Sequence, residues 1–253
     1  MADCPHFSIS ITVNNDDPNY DGDSAFGISQ TKLAQGDPFL AGSTIAMYDG
    51  SPTASYTAPL KPYPGVGVVI FSIIAHDGTF AGSSISPDKL RDIFAGPDVG
   101  GYIAIGRNYG SGSRWNLLMS LGKDPAKTPV AQPCTAPAGQ PVSVSCTAGS
   151  TAAALSIVNS TRHSVSYAEV YGTTLAGDLQ TSVIGINGFM PTTTNVLNGN
   201  YGYVAVEHLY TGPNPKPLTN DFISFLRQYI ASNTPDGLIA CSAATTIVES
   251  DCS

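Results

Sequence analysis

Apolar and polar residues alternate along Phe7-Ser-Ile-Ser-Ile-Thr-Val13, the period-two pattern of a half-buried strand, and the Asn/Asp/Gly-rich stretch from Asn14 to Asp23 breaks it. The longest apolar run is Val66 to Ala75. It is rich in β-branched residues and too short to cross a bilayer, so it predicts a buried strand. Ser86-Pro87-Asp88 then reads as a serine N-cap with proline at the first helical position; Leu90, Ile93 and Phe94 follow at helical spacing, and Gly96 ends the helix. Residues 101 to 121 repeat the order of strand then helix, with Trp115, Leu118 and Met119 as the expected buried face and Gly122 as terminator. Thr151 to Ser160 predicts a short Ala-rich helix, Ser164 to Tyr171 returns to strand-like alternation, and Tyr201 to Tyr210 predicts another strand. Thr219 caps the clearest helix, whose stripe of Phe222, Ile223, Phe225, Leu226, Tyr229 and Ile230 reads as core. Strands alternating with helices imply an α/β sheet, and neither an internal repeat nor a heptad pattern interrupts that reading.

Composition narrows the class. Charged residues make up only 12% of the 253, while 26 Gly and 19 Pro give the look of a loop-rich secreted protein. The net charge of −8 argues against a nucleic-acid or anionic membrane partner, both of which need a basic face. Cys134 and Cys146 bracket one small loop, Cys241 and Cys252 bracket another, and Cys4 stands apart. Two local disulfides and an oxidising compartment fit this spacing, which lacks the Cys-x-x-Cys of a zinc or redox site; five unpaired thiols are the alternative. The first pair lies in a Pro/Ala/Thr/Gly-rich excursion from Pro125 to Ser150, expected as a stapled surface loop. Met1-Ala2-Asp3 has no apolar run behind it and reads as a mature or truncated start.

The most informative chemistry lies in Arg107-Asn-Tyr-Gly110-Ser111-Gly112-Ser113-Arg114-Trp115, where a strand meets a Gly/Ser turn and a helix start. The first amides of a helix lack intrahelical partners and sit at the positive end of its dipole. Glycines admit a close oxyanion, and an arginine fork matches two of its oxygens. The competing reading is an ordinary turn with a serine N-cap. Other chemistries find no support: the chain has no Gly-x-Ser-x-Gly elbow and no P-loop Gly-Lys-Ser/Thr, and its four histidines, at 6, 76, 163 and 208, form no metal pattern. His76-Asp77 are neighbours whose side chains diverge on an extended segment, so they read as turn residues. Asp77, Glu169 and His163 are the only bases placed for an enzymatic reading. His163, following the Thr151 helix, reads better as a cation at that helix's C-terminus, and no catalytic constellation or cofactor site emerges. The chain is therefore expected not to be an enzyme.

Several segments, in order, resemble the phosphate-binding substrate-binding proteins of ABC importers. Leu90-Arg-Asp-Ile-Phe-Ala-Gly96 is similar to their Leu-x-x-Ile-Phe-x-Gly helix end, and Arg107 to Ser113 resembles their Arg-x-Asp-Gly-Ser-Gly-Thr anion loop. Ser164-Val-Ser-Tyr167-Ala-Glu169 is similar to the strand that crosses back between lobes. Asn187-Gly-x-x-Pro191-Thr192, Gly199-Asn-Tyr201, Leu209-Tyr210-Thr211 and Asp221-Phe222-Ile-x-Phe225 resemble the closing part of the first lobe. The resemblance implies a bilobal α/β periplasmic-binding-protein fold of the second type. Residues 1–74 and 170–253 would form the first lobe and 75–169 the second, with crossings near 72–76 and 165–172 and an anion in the cleft. It implies ligand contacts from Arg107, Ser111, Gly112 and Ser113 in the second lobe and from Ser29 and Gln30 in the first.

Departures from the family pattern bear on specificity. Ala25-Phe-Gly-Ile-Ser29-Gln30 stands where the family has a segment ending in Asp, so an amide replaces a carboxylate that accepts a hydrogen bond from protonated phosphate; an amide also donates and tolerates sulfate. Tyr109 stands where the family's loop has an Asp that orients the arginine, and the Gly/Ser-rich helix starts of the first lobe have no counterpart before residue 23. The implied function is a secreted or cell-surface monomer that binds inorganic phosphate or a related oxyanion for uptake through a membrane importer or for sensing. The alternative is a reuse of the fold as an extracellular partner-binding or surface module without a small-molecule ligand.

Overall fold

The computed structural model describes residues 46–48, 61–96, 100–109, 111–136, 140–170, 180–211, 217–234, 237–244 and 252. The strand expected at Phe7–Val13, the segment Ala25–Gln30 and Cys4 lie outside them. The described elements are β1 (Ala46–Tyr48), β2 (Lys61–Pro62), β3 (Gly67–His76), β4 (Ser84–Ile85), α1 (Pro87–Ala95), β5 (Ile103–Arg107), α2 (Gly112–Ser120), β6 (Cys146–Ala148), α3 (Thr151–Ser160), β7 (Ser164–Glu169), β8 (Thr181–Ile186), α4 (Thr193–Leu197), β9 (Val204–Thr211), α5 (Pro217–Ser232) and β10 (Leu238–Ala240).

The apolar run is the spine of the sheet. β3 changes partners along its length: Gly67 to Ile70 pair with β9 on one side, and β10 pairs with Gly67 to Val69 on the other. Phe71 to Ala75 pair with β7, while Ile73 to His76 pair with β8. A strand covered on both faces has no reason to alternate, which is why Val68, Ile70, Phe71, Ile73, Ile74 and Ala75 are all buried. Beyond β7 the sheet continues through β5 to β6, both parallel to their neighbours, whereas β9, β10, β7 and β8 all run antiparallel to β3.

Local signals set the helices. Ser86 Oγ accepts the Lys89 amide, Pro87 opens α1, and Leu90 and Ile93 face the core. Gly96 closes α1 because a Cβ there would lie 2.5 Å from the Asp92 carbonyl oxygen. In α2 the buried stripe is Arg114, Leu117, Leu118 and Leu121; Trp115 is half-buried and Met119 is 59% exposed. The expected face is thus rotated, because an arginine occupies a core position that the hydrophobic pattern assigned to solvent.

α5 starts before Thr219, which is buried inside the helix instead of capping it. Its apolar stripe is also narrower than expected: Ile223 and Ile230 are buried, but Phe225 and Tyr229 are about half exposed and lean on each other with ring centroids 5.9 Å apart. Tyr201 and Tyr203, expected in β9, precede it as buried anchors. His163 lies past the Thr161 C-cap of α3 in a left-handed conformation, φ 60°, and its carbonyl accepts the Ile103 amide, so it is not a cation of the last helical turn. Both cysteine pairs are disulfides, Cys134–Cys146 and Cys241–Cys252.

Candidate functional site

The parallel pairing of β5 with β6 builds the site. Their register sets Arg107 opposite Ala148, so both strands end side by side, and each leads directly into a helix. Ser111 caps α2 by accepting the Arg114 amide, and Ser150 caps α3 by accepting the Ala153 amide. Two helix N-termini therefore rise from adjacent carboxyl ends of parallel strands, the edge at which open α/β sheets bind ligands. The Ser111 cap takes the third helical amide. This leaves the amides of the buried Gly112 and Ser113 as the uncapped donors of α2.

Arg107, the last residue of β5, is tied to the start of α3. Its Nη1 donates to Thr151 Oγ1 at 2.5 Å, its Nη2 to the Gly149 carbonyl at 3.2 Å, and its backbone amide to the Tyr167 hydroxyl at 2.9 Å. The residue is 1% exposed, yet its acceptors are neutral and its buried Nε has no partner among the described residues. Among the described residues the guanidinium has no counter-charge, and burying an ion without one is costly. The neighbouring Asn108 Oδ1 is likewise buried without a partner among the described residues. Burial pushes the Tyr167 hydroxyl up to about 12, although the Arg107 amide and the Arg107 and Arg114 charges pull the other way; it is a neutral hydroxyl at ordinary pH.

Of the residues expected from sequence, Ser111 and Ser113 meet directly, their Oγ atoms 2.9 Å apart, at the start of the helix reached from Arg107 by one short loop. Ser29 and Gln30 lie outside the described residues, as does Gly110. Tyr109 does not orient Arg107. Its ring meets Trp115 edge-on at 6.1 Å and lies under the Arg114 guanidinium at 5.6 Å, and its carbonyl accepts the Trp115 indole proton. Thr151 and Gly149 hold the arginine instead, and the sequence reading named neither in that role.

Arg114 was also missed. Its Nη1 and Nη2 donate to the carbonyls of Pro125 and Thr128, stapling the following loop to α2, and burial holds its pKa below the usual arginine value. Asp77 is a turn residue as expected, but His76 ends β3, paired with Thr181; His76 Nδ1 lies 3.0 Å from the Asp77 carbonyl, and the Asp77 carboxylate accepts the Ser182 hydroxyl. Among the described residues no group of His, Cys, Asp or Glu is arranged to hold a metal ion, and no helix is long and apolar enough to cross a membrane. A cavity of about 470 Å³ is lined by Tyr63, Asn220 and Arg227 among others and shares no residue with the Arg107 site.

A mixed α/β fold with two helix starts at the ends of adjacent parallel strands is the class these observations define. Solved structures place that fold more narrowly. A candidate phosphate ABC transporter substrate-binding protein from Clostridium perfringens, with bound phosphate, superposes with a TM-score of 0.62 at 16% identity, covering 87% of this chain and 97% of that one. An ABC-type phosphate transport receptor from Vibrio cholerae gives 0.56 at 16% identity over 82% and 81% of the two chains. A phosphate-binding protein from Stenotrophomonas maltophilia gives 0.54 at 14% identity over 80% and 74%. By their descriptions these are phosphate-binding and transport proteins, and the chain shares their bilobal periplasmic-binding-protein fold. No protein-family model matches the chain, and no curated protein sequence matches it significantly.

Proposed function

We propose that this chain is an extracytoplasmic binding protein for phosphate or a related tetrahedral oxyanion, serving uptake through a membrane importer or sensing. The observation that carries the reading is Arg107: a buried guanidinium that, among the described residues, has only neutral acceptors and an unpartnered Nε, at the end of the strand that leads through one short loop to the α2 start. The fold shared with phosphate-binding proteins supports the same ligand class, and the two disulfides fit an oxidising compartment.

In this reading the second lobe, residues 75–169, supplies Arg107, Ser111, Gly112 and Ser113. The first lobe, residues 1–74 and 170–253, supplies Ser29 and Gln30 from across the cleft. The partner change along β3, from β9 and β10 to β7 and β8, supports that division. The alternative use of the fold, as a partner-binding surface module, is favoured by the exposed Phe225 and Tyr229 pair on α5.

Calorimetric titration of phosphate-stripped protein with phosphate and sulfate decides between them. Saturable heat with either ion, abolished in Arg107→Ala, supports the oxyanion reading. No heat in the wild type with either ion moves the function to the surface module, and heat retained in Arg107→Ala places the ligand elsewhere.

A further inference from the structure

The buried hydroxyl of Tyr203 reaches the start of α2 from the segment before β9. Tyr203 lies just before β9, is 1% exposed, and its ring stacks on Phe71 with centroids 5.0 Å apart. Its carbonyl accepts the Phe71 amide at 3.1 Å. Phe71 is the point at which β3 exchanges β9 for β7, since Ile70 pairs with Val204 and Phe71 with Glu169. From this anchored position the Tyr203 hydroxyl donates to the Ser113 carbonyl at 3.0 Å.

That carbonyl belongs to the peptide unit whose N–H is the Arg114 amide, and this amide donates to Ser111 Oγ at 3.5 Å. Ser111 Oγ in turn shares one proton with Ser113 Oγ, 2.9 Å away. Two hydroxyls hold two protons. One is used between them, so the pair has one left to offer outward, whichever serine carries it. A chain of hydrogen bonds polarises its members, each bond strengthening the next donor. A donor on the Ser113 carbonyl makes the Arg114 amide a stronger donor to Ser111 Oγ, and that makes the serine pair a stronger donor to an anion.

We infer that Tyr203 is a positioning residue of the oxyanion site, acting through the Ser113–Arg114 peptide to fix and polarise the Ser111–Ser113 hydroxyl pair. The inference rests on the oxyanion reading and adds to it a residue outside the loop, on the segment that joins β9 to the turning point of β3. Tyr203 touches no ligand in this scheme. Its hydroxyl matters only by way of the serine pair, so its effect disappears when that pair is gone.

The test is Tyr203→Phe, which keeps the ring and its stack on Phe71, measured by phosphate titration alone and in a Ser111→Ala background. Tyr203→Phe is expected to weaken phosphate binding about twofold, the scale on which one hydrogen bond strengthens the next, and to weaken it no further once Ser111 is alanine. The Arg114 amide proton in the ligand-free ¹H–¹⁵N spectrum is expected to move upfield in Tyr203→Phe, a signature that a merely structural role would not single out. Unchanged affinity in Tyr203→Phe while the wild type binds overturns the inference and leaves the oxyanion reading standing. Independent, additive losses from the two substitutions also overturn it, because they would show that Tyr203 does not act through Ser111. A wild type that binds neither phosphate nor sulfate overturns both together.

Discussion

Replacing Arg107 with methionine separates a ligand-binding arginine from a structural one. The methionine occupies the space of the aliphatic stem and removes the charge. In the ligand-free protein two effects oppose each other. Relief of an uncompensated buried guanidinium is favourable, since the effective penalty of burying an ion is several kcal/mol even after relaxation. Against it, Thr151 Oγ1 loses its donor at about 1–3 kcal/mol, while the Gly149 carbonyl is recovered by water because that residue is exposed. The net expectation is a ligand-free stability within about 2 kcal/mol of wild type, on the stabilising side.

Saturation reverses the order. At a phosphate concentration of about 100 times Kd the wild type gains about 2.7 kcal/mol, and the variant gains nothing. For a chain of this size that difference is about 5–10 °C in thermal midpoint. Scanning calorimetry with and without phosphate reads both quantities. A ligand-free loss above about 3 kcal/mol in Arg107→Met would refute the reasoning, because it would show that the bonds to Thr151 and Gly149 already satisfy the arginine and that its purpose is to tie α3 to β5. An unchanged phosphate-induced shift would refute it equally.

Two further outcomes follow from burial. Leu90→Ala, at a fully buried position of α1, is expected to destabilise by about 2–5 kcal/mol in chemical denaturation, and Met119→Ala, on the exposed face of α2, by less than about 0.5 kcal/mol; a large Met119 effect would restore the face expected from the hydrophobic pattern. Tyr167, held up to about 12 by burial, keeps its proton where an unfolded tyrosine ionises near pH 10. A group whose folded pKa is raised stabilises fully below its unfolded pKa, so this contribution, about 3 kcal/mol, is intact below pH 10 and is lost as the pH climbs towards 12. Burial raises the Tyr201 pKa still further and adds to the same alkaline loss. Tyrosinate absorbance against pH would contradict this if all the tyrosines titrated together near pH 10.

Legibility followed the range of the forces involved. Ser86-Pro87 and Gly96 bounded α1, the Ala-rich stretch marked α3 as Thr151–Ser160, and the Val66–Ala75 run located β3 to within a residue, because caps, composition and apolar runs act over a few positions. The errors arose where a side chain's environment depended on distant chain. The face of α2 was misassigned because Arg114 is buried, and Arg114 is buried because the carbonyls of Pro125 and Thr128 fold back onto it. α5 was read as core along its whole stripe because nothing in an i, i+3, i+4 pattern says how wide the covering sheet is. Only Ile223 and Ile230 are fully covered, and Phe225 and Tyr229 remain at the margin.

The same division runs through the site. Its local half, from Arg107 to Ser113, is written in consecutive residues, since a strand end, a Gly/Ser turn and a capped helix start need only neighbours. Its non-local half is not. Thr151 and Gly149 hold the guanidinium because β6 lies parallel to β5, and a parallel pairing between segments separated by a disulfide-closed excursion leaves no period or motif in the chain. Tyr109 shows the consequence. The loop pattern pointed to that position as the group that orients the arginine, yet a neutral phenol has no charge with which to do so, and its ring went to Arg114 and Trp115. Among the described residues no carboxylate meets Arg107, which is held by a hydroxyl and a carbonyl. An oxyanion site of that kind rewards ligand charge over ligand protonation, so the comparison of sulfate with phosphate reads the chemistry of this loop more directly than phosphate affinity alone.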